Sequence, residues 1–320
     1  MNLWPPKLPG RRWCPHKQVV RRCPARRVEQ LTPVLAPLRE GPFTHTRHDV
    51  AFDNLPVLRE IEKAGPVPKR DRLHGAARLL FWNVERLRHL DAFAGHIETD
   101  QPDVILLSEV DRDMARTGNT DRIALLSERR GLSYLFGVEF IELDLGDIHE
   151  QRDHAGEVNS DGLHGAAILA DVALHSPCLI RLERRGNCYG LDRHEPRICG
   201  TIALLASVPI GAKMVLMANV HLENHQTPQS RAGDMQTLLD LIEGISPQGR
   251  VVMGGDFNTS TGSNGERHGD PAGWAAWLGA DPLRLLRPEP HEPLFAAAAA
   301  LGYDWKACNL PDQPTTRYPP

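Results

Sequence analysis

Residues 250–259 read Arg-Val-Val-Met-Gly-Gly-Asp-Phe-Asn-Thr, an apolar run that ends by delivering a carboxylate and a carboxamide two positions apart. Residues i and i+2 of a strand share one side, so Asp256 and Asn258 are presented together. Gly254 and Gly255 leave backbone room for something bulky to approach that point. Alone, Asp-x-Asn serves equally well as a turn or helix cap. Three more strand ends carry polar groups where apolar ones would pack better: Asn83, Glu109 and His221. Each has an ordinary structural explanation, as a turn cap, a solvated strand end and a satisfied core histidine respectively. Strand ends that face one edge of a sheet converge on one cleft, however, and all five groups could share a pocket.

The residue types specify a chemistry. Glu109 offers the hard oxygen donors that Mg²⁺ or Mn²⁺ prefers, and Mg²⁺ takes one or two carboxylates plus waters and phosphate oxygens. A histidine supplies a proton or a cationic clamp. Asparagines orient water and donate to phosphoryl oxygens without repelling them. The chain has no Gly-x-x-x-x-Gly-Lys-Ser/Thr loop and no Gly-x-Ser-x-Gly elbow, which argues against nucleotide-driven motors and serine hydrolases. Metal-assisted hydrolysis of a phosphate ester uses all five groups.

The elements that must position them follow from periodicity. Strands are expected at 79–83, 103–109, 134–140, 164–170, 200–207, 213–221 and 250–255, the fifth and sixth joined as a hairpin. Helices are expected at 89–99, at 120–130 with Gly131 as C-cap, at 227–245, at 272–278 around a tryptophan, and at 292–301. A polar loop over 146–162 is long enough to carry function. Hairpins mixed with strand–helix–strand units imply an α/β domain of the α+β kind, with sheets face to face and helices outside.

Composition bounds the rest. The chain is 320 residues long and 41% apolar, ordinary for a globular protein. No apolar run approaches the ~18 residues that span a bilayer, and no secretory signal opens the chain. Six cysteines lack any Cys-x-x-Cys pair and suggest neither a zinc site nor a disulfide framework, so a cytoplasmic setting is expected. Residues 1–75 hold 15 Lys/Arg against 7 Asp/Glu and 11 of the 26 prolines. They read as a basic, Pro-rich, disordered leader before a domain at 76–320. A leader of that charge could attach nucleic acid through its phosphates.

Phe81-Trp-Asn83-Val, Leu107-Ser-Glu109-Val-Asp, Leu163-His-Gly-Ala-Ala-Ile-Leu, Glu195-Pro-Arg197, Asn219-Val-His221-Leu-Glu and Gly254-Gly-Asp256-Phe-Asn258-Thr occur in that order. Together they resemble the motifs of the endonuclease/exonuclease/phosphatase superfamily, which includes DNase I-like nucleases, sphingomyelinases and inositol-polyphosphate 5-phosphatases. The resemblance spans about residues 78–317. It implies a four-layer sandwich of two mixed β-sheets with helices outside, and a Mg²⁺- or Mn²⁺-dependent phosphoester hydrolase. Its substrate would be nucleic acid, a phospholipid headgroup or a small phosphodiester. By resemblance Glu109 is the metal-binding glutamate, with Asn83 beside the metal. His221 contacts the scissile phosphate, Asp256 orients or deprotonates the attacking water, and Asn258 binds the phosphoryl group. Arg197 and Asn224 are the substrate-binding candidates, and Asp161 or Asn159 is the expected orienter of His221.

One departure tempers this expectation. The family closes on a Ser-Asp-His motif, and this sequence reaches Thr315-Thr-Arg-Tyr-Pro-Pro320 without it. A C-terminally incomplete domain, missing its last strand or strands and strongly impaired in catalysis, is therefore expected. The alternative is an inactive remnant that keeps metal or phosphate-ligand binding.

Overall fold

The computed structural model describes residues 19–24, 31–40, 44–182, 195–223, 226–246, 249–259, 279–283 and 286–310. In chain order these form β1 (Val19–Val20), α1 (Thr32–Arg39), α2 (His45–Asn54), β2 (Ile61–Ala64) and β3 (Leu79–Arg86). Next come α3 (Leu90–Asp100), β4 (Val104–Arg112), α4 (Arg122–Arg130), β5 (Ser133–Glu142), α5 (Ile148–Asp153) and β6 (Leu163–Ala170). The remainder is β7 (His175–Arg181), β8 (Arg197–Cys199), β9 (Ile202–Ile210), β10 (Lys213–His221), α6 (Pro228–Ile245), β11 (Arg250–Asp256) and α7 (Leu294–Ala300).

Two mixed sheets result, one in the order β1-β7-β9-β10-β11 and the other β2-β5-β6-β4-β3, with β8 added to β5. Each has a single parallel pair, β10 with β11 and β3 with β4, and is otherwise antiparallel. Alternation sorts the side chains into layers. Leu106, Ile168 and Leu135 of one sheet join Leu204, Met217 and Val208 of the other between the sheets. On the outer face of the β2-β5-β6-β4-β3 sheet, Ile105, Leu107 and Leu169 pack under Phe93 and Ile97 of α3 and Ile123 and Leu126 of α4. On the opposite outer face Leu205, Leu216 and Ala218 pack under Met235, Leu238 and Ile242 of α6. This is the expected four-layer α/β sandwich. Among the described residues no helix is long and apolar enough to cross a membrane.

The expected boundary at residue 75 does not separate a disordered leader from these layers. Leu31, Leu35, Phe52, Leu55 and Leu58 are buried in the helix-side core. β2 pairs antiparallel with β5, Ile61 opposite Gly137. Two of the prolines that suggested disorder start structure: Pro33 stands in the first turn of α1 and Pro56 opens a short 3-10 turn, positions where a missing N–H costs nothing, while Pro37 is carried inside α1. Residues 1–18, 25–30 and 41–43 of that segment lie outside the described residues. A second difference is that Cys199 is disulfide-bonded, with its partner outside the described residues; scattered spacings do not reveal pairing.

Other expectations fare unevenly. Helix α4 is capped by Asp121 and ends on Gly131 in the left-handed conformation. The 146–162 loop contains α5, closed by a capping box between Asp147 and Glu150. Strands β1, β2, β7 and β8 are additional to those expected. The helix expected at 272–278 lies outside the described residues.

Candidate phosphoester-binding centre

The four polar strand ends meet. Asn83 Nδ2 donates to Glu109 Oε1 at 2.8 Å and to Asp256 Oδ2 at 2.9 Å, bridging the two sheets. His221 Nε2 lies 3.7 Å from Glu109 Oε1. Ligand atoms of Glu109, His221 and Asp256 all fall within 4.8 Å of one another. Asp256 Oδ1 accepts from the Asn258 backbone N at 2.8 Å, and Asn258 Nδ2 donates to Leu222 O at 2.6 Å. Asn83 Oδ1 accepts from Glu85 N at 3.1 Å. As placed, Asn83 therefore ties the two carboxylates together, and Asn258 ties the ends of β10 and β11.

The backbone explains this convergence. His221 and Asp256 are register partners in the parallel β10–β11 pair. Glu109 is delivered differently: its φ is +58°, and the β4–β6 register shifts between Leu107 and Val110. Such a bulge re-aims a side chain at a strand end. Gly254 and Gly255 do not leave open room as the sequence suggested. A Cβ at Gly254 would stand 2.6 Å from the Phe81 ring, and one at Gly255 2.1 Å from Val220 O. Gly254 lets β3 of the other sheet close over β11, toward the contact of Asn83 with Asp256, and Gly255 admits the Val220 backbone of neighbouring β10.

Charge is concentrated here. Burial opposes ionisation of Glu109, but His221, then His164, the Asn83 hydrogen bond and Arg86 outweigh it and hold its pKa below the ordinary value. Burial likewise opposes the charged form of His221. Glu139, by charge and hydrogen bond, and then Glu109 and Asp256 overcome it and push the imidazole up to about 10.

The orienter of His221 is Glu139, whose Oε2 lies 2.8 Å from His221 Nδ1. A carboxylate can only accept, so the ring donates from Nδ1 and turns Nε2 toward Glu109. Neither expected residue does this. Asn159 is spent on Ala115 N and Asp144 O, and Asp161 on Leu31 N. Sequence reasoning misses Glu139 although a signal exists: it is an acid between Val138 and Phe140 in an otherwise apolar strand.

Arg197 is not brought to the cluster. Its Nε donates to Glu142 Oε2 at 2.7 Å, its Nη1 lies 3.1 Å from Glu195 Oε2, and its guanidinium covers the Phe140 ring. Glu142 is fully buried, so an ion pair there answers a desolvation need. Asn224 lies outside the described residues. A neighbouring buried network links His164 Nδ1 to Asp111 at 2.7 Å and Asp111 to Arg116 at 2.8 Å. Despite burial, the His164 bond and Arg116 hold the Asp111 carboxyl down at about 2.

The fold is thus a two-sheet α/β sandwich with an acid–imidazole–amide cluster at its strand ends. Residues 80–318 match the Endonuclease/Exonuclease/phosphatase family, and the chain belongs to it. None of the curated proteins matches the chain. Among solved structures it is similar to an endonuclease/exonuclease/phosphatase from Beutenbergia cavernae DSM 12333, at 18% identity and a TM-score of 0.45, covering 63% of this chain and 53% of that one. It is also similar to the human Nocturnin catalytic domain with bound sulfate, at 20% identity and a TM-score of 0.41, covering 63% and 70%. ANGEL2, a 2′,3′-cyclic phosphatase, aligns at 17% identity with a TM-score of 0.39, covering 57% and 52%. The chain thus spans about half the length of the Beutenbergia protein.

Proposed function

We propose that the chain is a divalent-metal-dependent phosphoester hydrolase in which water attacks phosphorus. The observation that carries this reading is the convergence of Glu109, His221 and Asp256 within 4.8 Å, with Asn83 bonded to both carboxylates. The donor set fits Mg²⁺ or Mn²⁺: carboxylate oxygens from Glu109 and Asp256 match the one or two that Mg²⁺ typically takes, leaving sites for water and phosphate oxygen. Such an ion, when bound, supplies Lewis-acid polarisation of the phosphoryl group and neutralises its charge.

The chain's own residues supply the rest. Asp256, fixed through Oδ1 by the Asn258 amide, orients or deprotonates the attacking water. His221, held at Nδ1 by Glu139, offers Nε2 as a donor to a phosphoryl oxygen or to the leaving oxygen. Asn83 keeps the two carboxylates together against their mutual repulsion. Asn258, at the mouth of β11, is the candidate for contacting the phosphoryl group. The substrate is a phosphoester from among nucleic acids, phospholipid headgroups and small phosphodiesters, since one centre serves them all and the surrounding loops choose.

The test is hydrolysis of bis-p-nitrophenyl phosphate with Mg²⁺, with EDTA, and by Asp256→Ala. Loss of an acid–base group removes about 100-fold or more in rate, and EDTA should abolish turnover. Hydrolysis insensitive to EDTA and to the substitution would sink the reading. A folded chain that binds Mn²⁺ yet turns over nothing would establish the alternative, ligand binding without catalysis.

A further inference from the structure

Glu85, Arg86 and Leu87, three successive residues that are not glycine, have φ of +44°, +66° and +53°. Left-handed backbone is unfavourable for L side chains, and such strain persists only where the surroundings hold it. Here Leu87 is buried and Asn83 Oδ1 takes the Glu85 amide. The third anchor is Glu150 of α5, whose Oε1 lies 2.8 Å from Arg86 Nε and 2.5 Å from Arg88 Nη2. The turn sets Arg86 opposite Val110, the residue after Glu109.

The anchoring leaves donors over. Each guanidinium engages Glu150 through one nitrogen, and among the described residues the remaining nitrogens of Arg86 and Arg88 have no partner. Glu150 cannot neutralise both, because its Oε2 already takes Arg116 Nη1 at 3.0 Å and the Asp147 amide at 3.0 Å. The neighbouring Asp147 carboxylate is committed to the N-terminus of α5. Two planar forks with unspent donors, fixed from behind, are the arrangement that takes a phosphate bidentately.

We propose that Arg86 and Arg88 form an anion subsite beside the candidate centre that binds a second phosphate of the substrate, distinct from the phosphoryl group under attack. That the phosphate belongs to a substrate rests on the phosphoester reading; the anion site itself does not. In the observed turn both guanidinium groups reach the same Glu150 Oε1, beside the strand end that carries Glu109.

Calorimetry on the full chain compares thymidine 3′,5′-bisphosphate with thymidine 5′-monophosphate, with and without Mg²⁺. The bisphosphate should bind about tenfold or more tightly, and Arg86→Gly and Arg88→Gln should each cut that preference to about twofold. Glycine adopts the φ of residue 86 without strain, which offsets part of the lost Glu150 ion pair; a folded Arg86→Gly chain that still binds the monophosphate as the native chain does, but not the bisphosphate preferentially, separates the subsite from a merely structural arginine. Equal binding of the two nucleotides, or a preference undiminished in both variants, overturns the proposal. Bisphosphate preference in a chain that hydrolyses no bis-p-nitrophenyl phosphate removes the enzyme reading and keeps the subsite. Single-stranded hexathymidylate bound more tightly than the bisphosphate points to nucleic acid as the source of the second phosphate, and the reverse order to a small molecule; either supports the subsite.

Discussion

The candidate centre is assembled from two halves built on opposite principles. In the half made by β10 and β11, the register runs unbroken from Val215 opposite Arg250 to His221 opposite Asp256. Plain strand alternation carries the imidazole and the carboxylate to the same row. In the half made by β3 and β4, the register shifts between Asn83 and Arg86, Glu109 has a φ of +58°, and the turn after Asn83 is left-handed. Regular pairing gives placement at no conformational cost. Irregular pairing costs roughly 1–3 kcal/mol per strained residue and is kept only where the surroundings impose it. The regular half acts as the fixed wall, and the irregular half is shaped to meet it.

Breaking the orientation of the regular half should have the largest effect. Glu139→Gln keeps the shape of the side chain but removes the charge that holds His221 Nδ1. Turnover should fall by about 10- to 100-fold, with Mn²⁺ affinity unchanged within a few-fold. Parallel kinetics and Mn²⁺ titration check this; equal loss in both would mean that Glu139 supports the metal site, not the imidazole.

A smaller effect is expected from the tie between the halves. Asn219 is buried, and its Nδ2 donates across the sandwich to Leu107 O at 2.7 Å. Two residues further along the same strands stand His221 and Glu109. Asn219→Leu leaves Leu107 O without that donor at a cost of about 1–3 kcal/mol. It should also weaken Mn²⁺ binding several-fold, because the spacing of the sheets at that row sets the 3.7 Å approach of the next. Val208→Ala, a cavity in the same inter-sheet core, should cost comparable stability and leave Mn²⁺ affinity alone. If the two variants lose metal together, general loosening explains Asn219 and the tie does not.

The same contrast governs what the sequence makes legible. Asp256 and His221 are readable because both end regular apolar strands, where a polar residue is conspicuous. Glu109 is readable as a strand end, but its bulge is not, since no glycine marks the left-handed position. Glu139 is hidden by the opposite effect: it lies inside a strand, and only its distant partner His221 gives it a purpose. Arg197 is overvalued from sequence because an arginine in a motif suits phosphate as well as a buried Glu142, and sequence does not show which is nearer. The layers are legible from periodicity. The N-terminal segment is not, because prolines that begin helices and turns look the same in composition as prolines that prevent them.

The smallest prediction separates strain from regularity by sign. Glu85 is exposed, with a φ of +44° in the irregular half, whereas Met214 is 49% exposed within the regular β10 ladder. Glycine relieves left-handed backbone but weakens an extended strand through lost conformational restriction. Glu85→Gly should therefore stabilise by about 0.5–1 kcal/mol and Met214→Gly destabilise by a similar amount. Those are shifts of roughly 1–4 °C in opposite directions by calorimetry. A fall in melting temperature for both variants would show that the turn after Asn83 is held by contacts strong enough to make its φ values costless. The irregular half would then be as settled as the regular one.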